Sequence, residues 1–388
     1  MPNSTNHQPD QSQQLMQTAN GQFQLRRVPD NPNLQAWDSA DLYLLKQVEE
    51  NCALSLQSSI LVVNDGFGAL SLALSDYQLT MTGDSYLAFE AMKNNLLLQG
   101  FDENKVAFAD SLNLPEQTFD LILIKIPKSL ALLEQQLYQL RGHLHADTKI
   151  IAGGMTRNIH KSTLKLFESI IGPTATTLAW KKSRLILVNR DPRLNNGHSP
   201  YPDEFILEIN RELTIQSHAN VFSREKLDAG TRLMIENMPA AERYIQITDL
   251  GCGNGILGLV AAELNPQADL SFVDESYMAV ASARENFASA FGQTRTAQFK
   301  VTNCLQGFEA ESIDLILNNP PFHQQYSVGD AIAWQMFGES RETLKTGGEL
   351  WVVGNRHLAY HAKLKKIFAN CEQVASNGKF VLLKAIKT

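Results

Sequence analysis

Cysteine is scarce in this chain of 388 residues: there are four, Cys52, Cys252, Cys304 and Cys371, with no CxxC pair. That spacing implies neither a zinc site nor a disulfide framework, so no metal is expected and a reducing cytoplasm suits the chain. Long apolar runs are missing as well. No stretch approaches the roughly 18 apolar residues that a membrane helix needs, and no membrane partner is expected. The first twenty residues, MPNSTNHQPDQSQQLMQTAN, lack both a basic start and an apolar segment. They read as a disordered tail, not a secretion signal. An excess of positive charge is also absent. A formal net charge of −7 argues against coating nucleic acid by charge alone, but leaves room for local basic patches. Lys125 with Lys128, and Lys181-Lys182 with Arg184, are such patches. Taken singly, each reads as a solvated face.

What is present is a long globular chain, 44% hydrophobic and 19% charged. Its length suggests two domains. In the C-terminal half, YIQITDLGCGNGILGLVAAELNP reads as a strand over 244–249, a glycine turn over 251–255 and a helix up to Asn265-Pro266. Further strands end at Asp274, at Asn303 and in SIDLILNNPPF, and GELWVVGN and KFVLLKAI supply two more. Strands alternating with helices imply an α/β fold with a doubly wound, mainly parallel sheet. Ligands bind such sheets at the carboxyl ends of the strands, where Asp249, Asp274, Asn303 and Asn319 are expected together.

The N-terminal half repeats the pattern. SILVVNDGFGALSLAL, MTGDSYLAFEAMKNN, FDLILIKIPK and RGHLHADTKIIAGG match the four corresponding C-terminal segments in the same order, which points to duplication of one domain. The copies differ where chemistry would occur. Asp65-Gly66-Phe67-Gly68-Ala69 is read in place of Gly-Cys-Gly-Asn-Gly, and Lys125-Ile126-Pro127-Lys128 in place of Asn-Pro-Pro-Phe. Arg184 is matched with Lys379. The expected organisation is a tail over 1–20, a degenerate domain over 21–190, a linker over 191–217 and a catalytic domain over 218–388.

Gly253-Asn-Gly255-Ile-Leu-Gly258, with Asp274 some twenty residues on, also fits a dinucleotide fingerprint. The wider pattern, Asp249-x-Gly251-x-Gly253-x-Gly255, resembles that of class I S-adenosylmethionine methyltransferases. Asp274 would grip ribose hydroxyls in either case. Asn319-Pro320-Pro321-Phe322 separates the two, because a hydride-transfer enzyme has no use for it. An exocyclic amino nitrogen conjugated to a ring is a poor nucleophile. The Asn319 side-chain oxygen and the Pro320 carbonyl can accept its two N–H bonds and align it, and Phe322 can stack on the base. No metal or nucleophilic side chain is required.

A degenerate methyltransferase-like half followed by an intact one, joined through HANVFSREKLDAGTRLMIENMP, resembles the bacterial ribosomal RNA guanine-N2 methyltransferases over nearly the whole chain. NPPFHQQYSVGDAIAWQMF and GELWVVGNRHLAYHAKLKKIF resemble the large-subunit branch most, with the small-subunit branch its sibling. The resemblance implies two tandem class I methyltransferase-like (Rossmann-like) domains, the first degenerate. It implies one S-adenosyl-L-methionine per chain, and as substrate a guanine amino group of large-subunit (23S) ribosomal RNA. It also implies a substrate motif of Asn319, Pro320, Pro321 and Phe322. Asp249, Gly251, Gly253, Gly255, Asp274 and Asn303 would line the cofactor site, Asn303 replacing the more usual Asp beside adenine. A cytoplasmic monomer is expected.

Beside these, Phe222 and Ser223 read as a hydrophobic anchor and a helix N-cap, and His323 as a solvated loop residue. Lys125, Lys128, Lys181, Lys182 and Arg184 are candidate RNA contacts of the degenerate half. Two other readings stay open at this stage. One is a glutamine or DNA-adenine methyltransferase with the same aromatic motif. The other is a non-catalytic RNA-binding assembly factor.

Overall fold

The computed structural model describes residues 15–388 except 32, 195–196, 210 and 322–325. It forms two compact units, Met1–Pro200 and Tyr201–Thr388.

The first unit opens with a hairpin of β1 (Leu15–Thr18) and β2 (Gly21–Gln24), followed by α1 (Ser39–Asn51), β3 (Ser59–Val63), α2 (Ala69–Ala73), β4 (Gln78–Gly83), α3 (Tyr86–Leu98) and β5 (Ala107–Asp110). Then come β6 (Phe119–Lys125), α4 (Leu130–Leu140), β7 (Leu144–Met155), α5 (Lys161–Ile170), β8 (Thr174–Thr176) and β9 (Ser183–Val188). The second unit repeats this order. It starts with the hairpin β10 (Asp203–Glu208) and β11 (Glu212–Ser217), then α6 (Ala229–Ile235), β12 (Gln246–Leu250), α7 (Ile256–Leu264), β13 (Asp269–Asp274), α8 (Tyr277–Phe291) and β14 (Ala297–Val301). It ends with β15 (Ile313–Asn318), α9 (Tyr326–Thr343), β16 (Leu344–Asn355), α10 (Tyr360–Phe368), β17 (Glu372–Ser376) and β18 (Phe380–Ile386).

The seven-stranded sheets have the same order, β5-β4-β3-β6-β7-β9-β8 and β14-β13-β12-β15-β16-β18-β17. In each, the first five strands run parallel and the last two pair antiparallel. Central strands covered on both faces must be apolar throughout. Leu121–Ile124 and Leu315–Leu317 are accordingly fully buried. In the second unit Leu315 and Leu317 pack toward α6 and α7, while Ile316 packs toward α9 and α10.

The duplication reaches further than the expected boundaries. Residues 15–20, read as tail, belong to an ordered hairpin with Met16 fully buried; residues 1–14 lie outside the described residues. Most of the segment read as a linker over 191–217 is likewise the hairpin β10–β11. Its alternating Leu207, Leu213 and Ile215 are buried in the core of the second unit. Short alternating strands among turn residues resemble linker composition, which is why both hairpins escaped notice.

The register of the two glycine turns also shifts by one residue. Gly68 and Gly255 each precede the helix, with φ of 79° and 82°. The first-unit counterpart of Gly251-Cys-Gly-Asn-Gly255 is therefore Asn64-Asp-Gly-Phe-Gly68. By the same logic Arg184 does not match Lys379. Thr156 N donates to the Lys182 carbonyl as Arg356 N donates to that of Lys379, so Lys182 is the counterpart.

Candidate active site

The glycine turn after β12 is held by two acids. Gly251, Gly253 and Gly255 all have positive φ. At Gly255 an added Cβ would lie 2.9 Å from the Ala283 Cβ and 3.0 Å from its Cα, so glycine is required by packing. At Gly253 nothing lies within 4 Å of that position, so the turn is open on this side for close approach of a ligand. Asp274, at the end of β13, accepts from Gly253 N on one oxygen and from Ser276 N on the other, each at 3.0 Å. Asp249 is fully buried and accepts from Gly258 N at 2.8 Å. Burial pushes its carboxyl up to about 8, the Gly258 bond opposes this, and nearby Asp274 adds to it. Asp249 thus caps α7 and shapes the turn from beneath.

The substrate motif follows β15 on the same rim. Asn318 Nδ2 donates to the Leu250 carbonyl at 2.7 Å, tying the ends of β15 and β12 together. Asn319 Nδ2 donates to Thr231 Oγ1 on α6 at 3.0 Å. Pro320 is buried and Pro321 exposed. Phe322 and His323 lie outside the described residues.

Among the described residues, Asp249 Oδ1, Asn318 Oδ1, Asn319 Oδ1 and Asn355 Oδ1 are buried without a hydrogen-bond partner. All four sit at the carboxyl ends of the adjacent strands β12, β15 and β16. An orphaned buried acceptor costs about 1–3 kcal/mol. With its carboxyl pushed up to about 8, Asp249 holds a proton on Oδ1 at neutral pH, so the acceptors of the rim are the three asparagine oxygens, which suit a ligand with N–H donors. Thr231 and Asn355 were not anticipated from the sequence. The signal for Thr231 was available, since Asp228-Ala-Gly-Thr231 and Asp38-Ser-Ala-Asp41 occupy the same place in the two copies.

Asn303 stands just past β14, with its Oδ1 accepting from Gln335 Nε2 at 3.0 Å. Phe222 is 52% exposed, so it is not an anchor. Ser223 does not cap α6 either. Its φ is 55°, its hydroxyl donates to the Lys226 carbonyl, and Asp228 is the N-cap, accepting from Gly230 N and Thr231 N. Burial raises the Cys252 thiol well above its usual range and the Cys304 thiol to about 12, which makes neither a nucleophile at neutral pH. Among the described residues no cluster of His, Cys, Asp and Glu could hold a metal ion, and no helix is long and apolar enough to cross a membrane.

The corresponding place in the first unit is filled. Asn64, at the position of Gly251, exchanges hydrogen bonds with Gln136 at 2.7 and 2.8 Å and donates to the Lys125 carbonyl. Lys125 was expected as a cation on an open rim, and here the structure differs. Its Nζ lies 2.8 Å from Asp38 and 2.7 Å from Asp41, and only 15% of its side chain is exposed. Burial alone would lower the Lys125 pKa, but the Asp41 and Asp38 carboxylates outweigh it and raise the value. The capping acid has moved as well: Asp65 accepts from Ala69 N and Ser71 N, and Ser71 is the counterpart of Gly258. Lys128, Lys181 and Lys182 remain exposed, whereas Arg184 is partly buried with its Nε unpartnered.

Comparison with known proteins gives matches over both units. Residues 13–192 match the RLMG N-terminal domain family, and residues 212–384 match the methyltransferase small domain family. A Pseudomonas aeruginosa ribosomal RNA large subunit methyltransferase G is 48% identical, covering 96% of this chain and 100% of the relative. A Streptomyces griseus protein of the same name is 45% identical, covering 95% and 98%. Among solved structures, a T. thermophilus 16S rRNA N2 methyltransferase in complex with AdoMet and guanosine superposes with a TM-score of 0.76. That match covers 96% of this chain and 97% of the other at 21% identity, and so concerns the fold.

Proposed function

The chain belongs to the ribosomal RNA large subunit methyltransferase G family, and from that premise we propose that its second unit methylates the N2 amino group of a guanine in large-subunit (23S) ribosomal RNA. S-adenosylmethionine supplies the methyl group, carried on a sulfonium. The open glycine turn at 251–255, Asp274 for the ribose hydroxyls and Asn303 beside the adenine would hold it.

The observation that carries the reading is Asn319. Its Nδ2 is committed to Thr231, so its buried Oδ1 is left as an unpartnered acceptor. That oxygen can take one N–H of the amino group, and the Pro320 carbonyl the other. The nitrogen is then held with its lone pair toward the methyl group, and the surplus proton leaves to solvent after transfer. Every residue named here comes from the second unit, which supports a monomer. The ribosomal RNA that the relatives are named for supports action in the cytoplasm.

Incubation of the protein with methyl-labelled S-adenosylmethionine and protein-depleted 23S or 16S ribosomal RNA tests this. Nuclease digestion of 23S should yield labelled N2-methylguanosine, and Asn319→Ala should lower the rate by about 10²–10³-fold, as loss of a transition-state hydrogen-bonding group does. Label in 16S alone, or in a base other than guanine, overturns it.

A further inference from the structure

A side-chain amide is useful as an acceptor only when its other end is satisfied. In the orientation that offers Oδ1 to an amino group, Asn319 Nδ2 is a part-buried donor and needs an acceptor of its own. Thr231 Oγ1 supplies it at 3.0 Å. Thr231 is in turn fixed from behind. Its backbone N–H donates to the Asp228 cap, and α6 is seated by Leu233 and Met234 in the core. The Cβ that Gly230 lacks would lie 3.1 Å from the Phe380 ring, so the first turn of α6 packs tightly there.

The first unit shows that this contact belongs to the fold. Val63 pairs with Ile124 and Leu250 with Asn318, which places Lys125 where the second unit has Asn319. Asp41 stands where the second unit has Thr231, three residues after the capping aspartate. Lys125 and Asp41 meet at 2.7 Å. In both units, then, the residue three past the cap holds the residue at the end of the fourth strand. In the first unit the contact is an ion pair that Asp38 joins, 2.8 Å from Lys125 Nζ. In the second, a hydroxyl and an amide leave one acceptor over, and that acceptor is buried.

We propose that Thr231 is a positioning residue for methyl transfer: it accepts from Asn319 Nδ2 and so presents Oδ1 to the amino group of the base. The inference rests on the assignment of Asn319 above. Without the hydroxyl, the productive orientation leaves the part-buried Nδ2 unpaired. Nothing then fixes which end of the amide faces the base, and in the turned-over orientation a donor faces a donor.

The test is a double-mutant cycle in the full-length protein. Thr231→Val should lower kcat on 23S ribosomal RNA roughly 10–100-fold, the equivalent of one unsatisfied part-buried donor. KM for RNA and cofactor affinity by calorimetry should stay near wild type, and the thermal midpoint should fall by no more than one unpaired donor accounts for. Thr231→Ser should restore most of the rate. Because Thr231 acts through Asn319, Thr231→Val added to Asn319→Ala should slow that variant no further. If Thr231→Val does not fold, Thr231→Ala takes its place in the cycle. Additive losses, or a serine variant as slow as valine, overturn the role of Thr231 while leaving Asn319 in place. An Asn319→Ala protein with wild-type rate overturns the assignment of Asn319, and this inference with it.

Discussion

Asn95 and Asn286 make the same three hydrogen bonds in the two units. Asn95 accepts from Arg26 N at 2.8 Å and donates to the carbonyls of Arg26 and Phe67, each at 2.9 Å. Asn286 accepts from Gln216 N at 2.8 Å and donates to the carbonyls of Gln216 and Asn254 at 2.8 and 2.9 Å. Each therefore ties the leading hairpin to the glycine turn. Replacing either by leucine should cost about 2–4 kcal/mol of stability, at roughly 0.5–1.5 kcal/mol per bond. Only Asn286→Leu should also weaken cofactor binding, since only its turn is open. Chemical denaturation with calorimetry on both variants checks this, and equal loss of cofactor affinity in the two would contradict it.

The glycines of the turn should separate stability from binding. Gly253→Ala puts a Cβ into open space at a left-handed φ of 53°, a strain of about 1–2 kcal/mol. It should nevertheless abolish measurable cofactor binding, because the new methyl occupies the side left free for the ligand. Gly255→Ala, which meets Ala283 at 2.9 Å, should lower the thermal midpoint more than Gly253→Ala does. A Gly253→Ala protein with wild-type cofactor affinity would remove the turn from the binding site.

What the sequence disclosed, and what it hid, follow from how each feature is encoded. The parallel strands are continuous apolar runs such as Leu315–Leu317, and positive φ at Gly251, Gly253 and Gly255 leaves a glycine signature. Both are local and legible. The Thr231–Asn319 bond spans 88 residues and depends on how α6 meets the end of β15, so no spacing rule reveals it. The offset in the first glycine turn has a similar cause. Matching Gly66 and Gly68 to Gly253 and Gly255 puts Asn64 at the place of Gly251, and Asn64 adopts a φ of 63° there without a glycine to mark the start of the turn.

The burial of Lys125 reverses what its charge suggested. Lys125→Met would leave Asp41, whose side chain is 6% exposed, as a buried carboxylate without its closest cation. Breaking such a pair costs about 3–5 kcal/mol, while removing both charges together is often neutral. Urea unfolding should show Lys125→Met strongly destabilised and Lys125→Met with Asp41→Asn, which keeps an acceptor for Asp38 N, largely recovered. An unchanged midpoint in the single variant would return Lys125 to the list of RNA contacts.

Asp249 should leave a mark on the pH dependence of stability. Its folded-state value of about 8 lies far above the ordinary 3.8. Between these limits the folded protein holds a proton that the unfolded chain has lost. Stability contributed by the protonated form is therefore full below about pH 4, declines as pH rises toward 8 and is level above that. Asp249→Asn should flatten this decline relative to wild type. Denaturation midpoints measured from pH 5 to 9 check the slope, and parallel curves for the two proteins would place the Asp249 pKa near its ordinary value.

The hairpin between β8 and β9 carries the remaining case for RNA contact in the first unit. Trp180 and Ser183 exchange both backbone hydrogen bonds at 2.8 Å, so Lys181 and Lys182 form a two-residue turn with φ of 45° and 66°. Such turns favour Asn-Gly, and each bulky residue in the left-handed region costs about 1–2 kcal/mol. The corresponding turn of the second unit, Gly378-Lys379 between Asn377 and Phe380, holds neither residue at positive φ. Two lysines held at a strained, exposed tip are better explained by phosphate contact than by folding. Lys181→Asn with Lys182→Gly should therefore stabilise the protein yet weaken RNA binding. The log–log salt slope should become shallower by about 1.4 for the two lost contacts, at roughly 0.7 each for a single strand. Cofactor affinity and the identity of the methylated base should not change. RNA titrations from 50 to about 300 mM salt, a range over which phosphate contacts dominate the change in affinity, provide the measurement. An unaltered slope in a stabilised variant would mean that the lysines hold no phosphate.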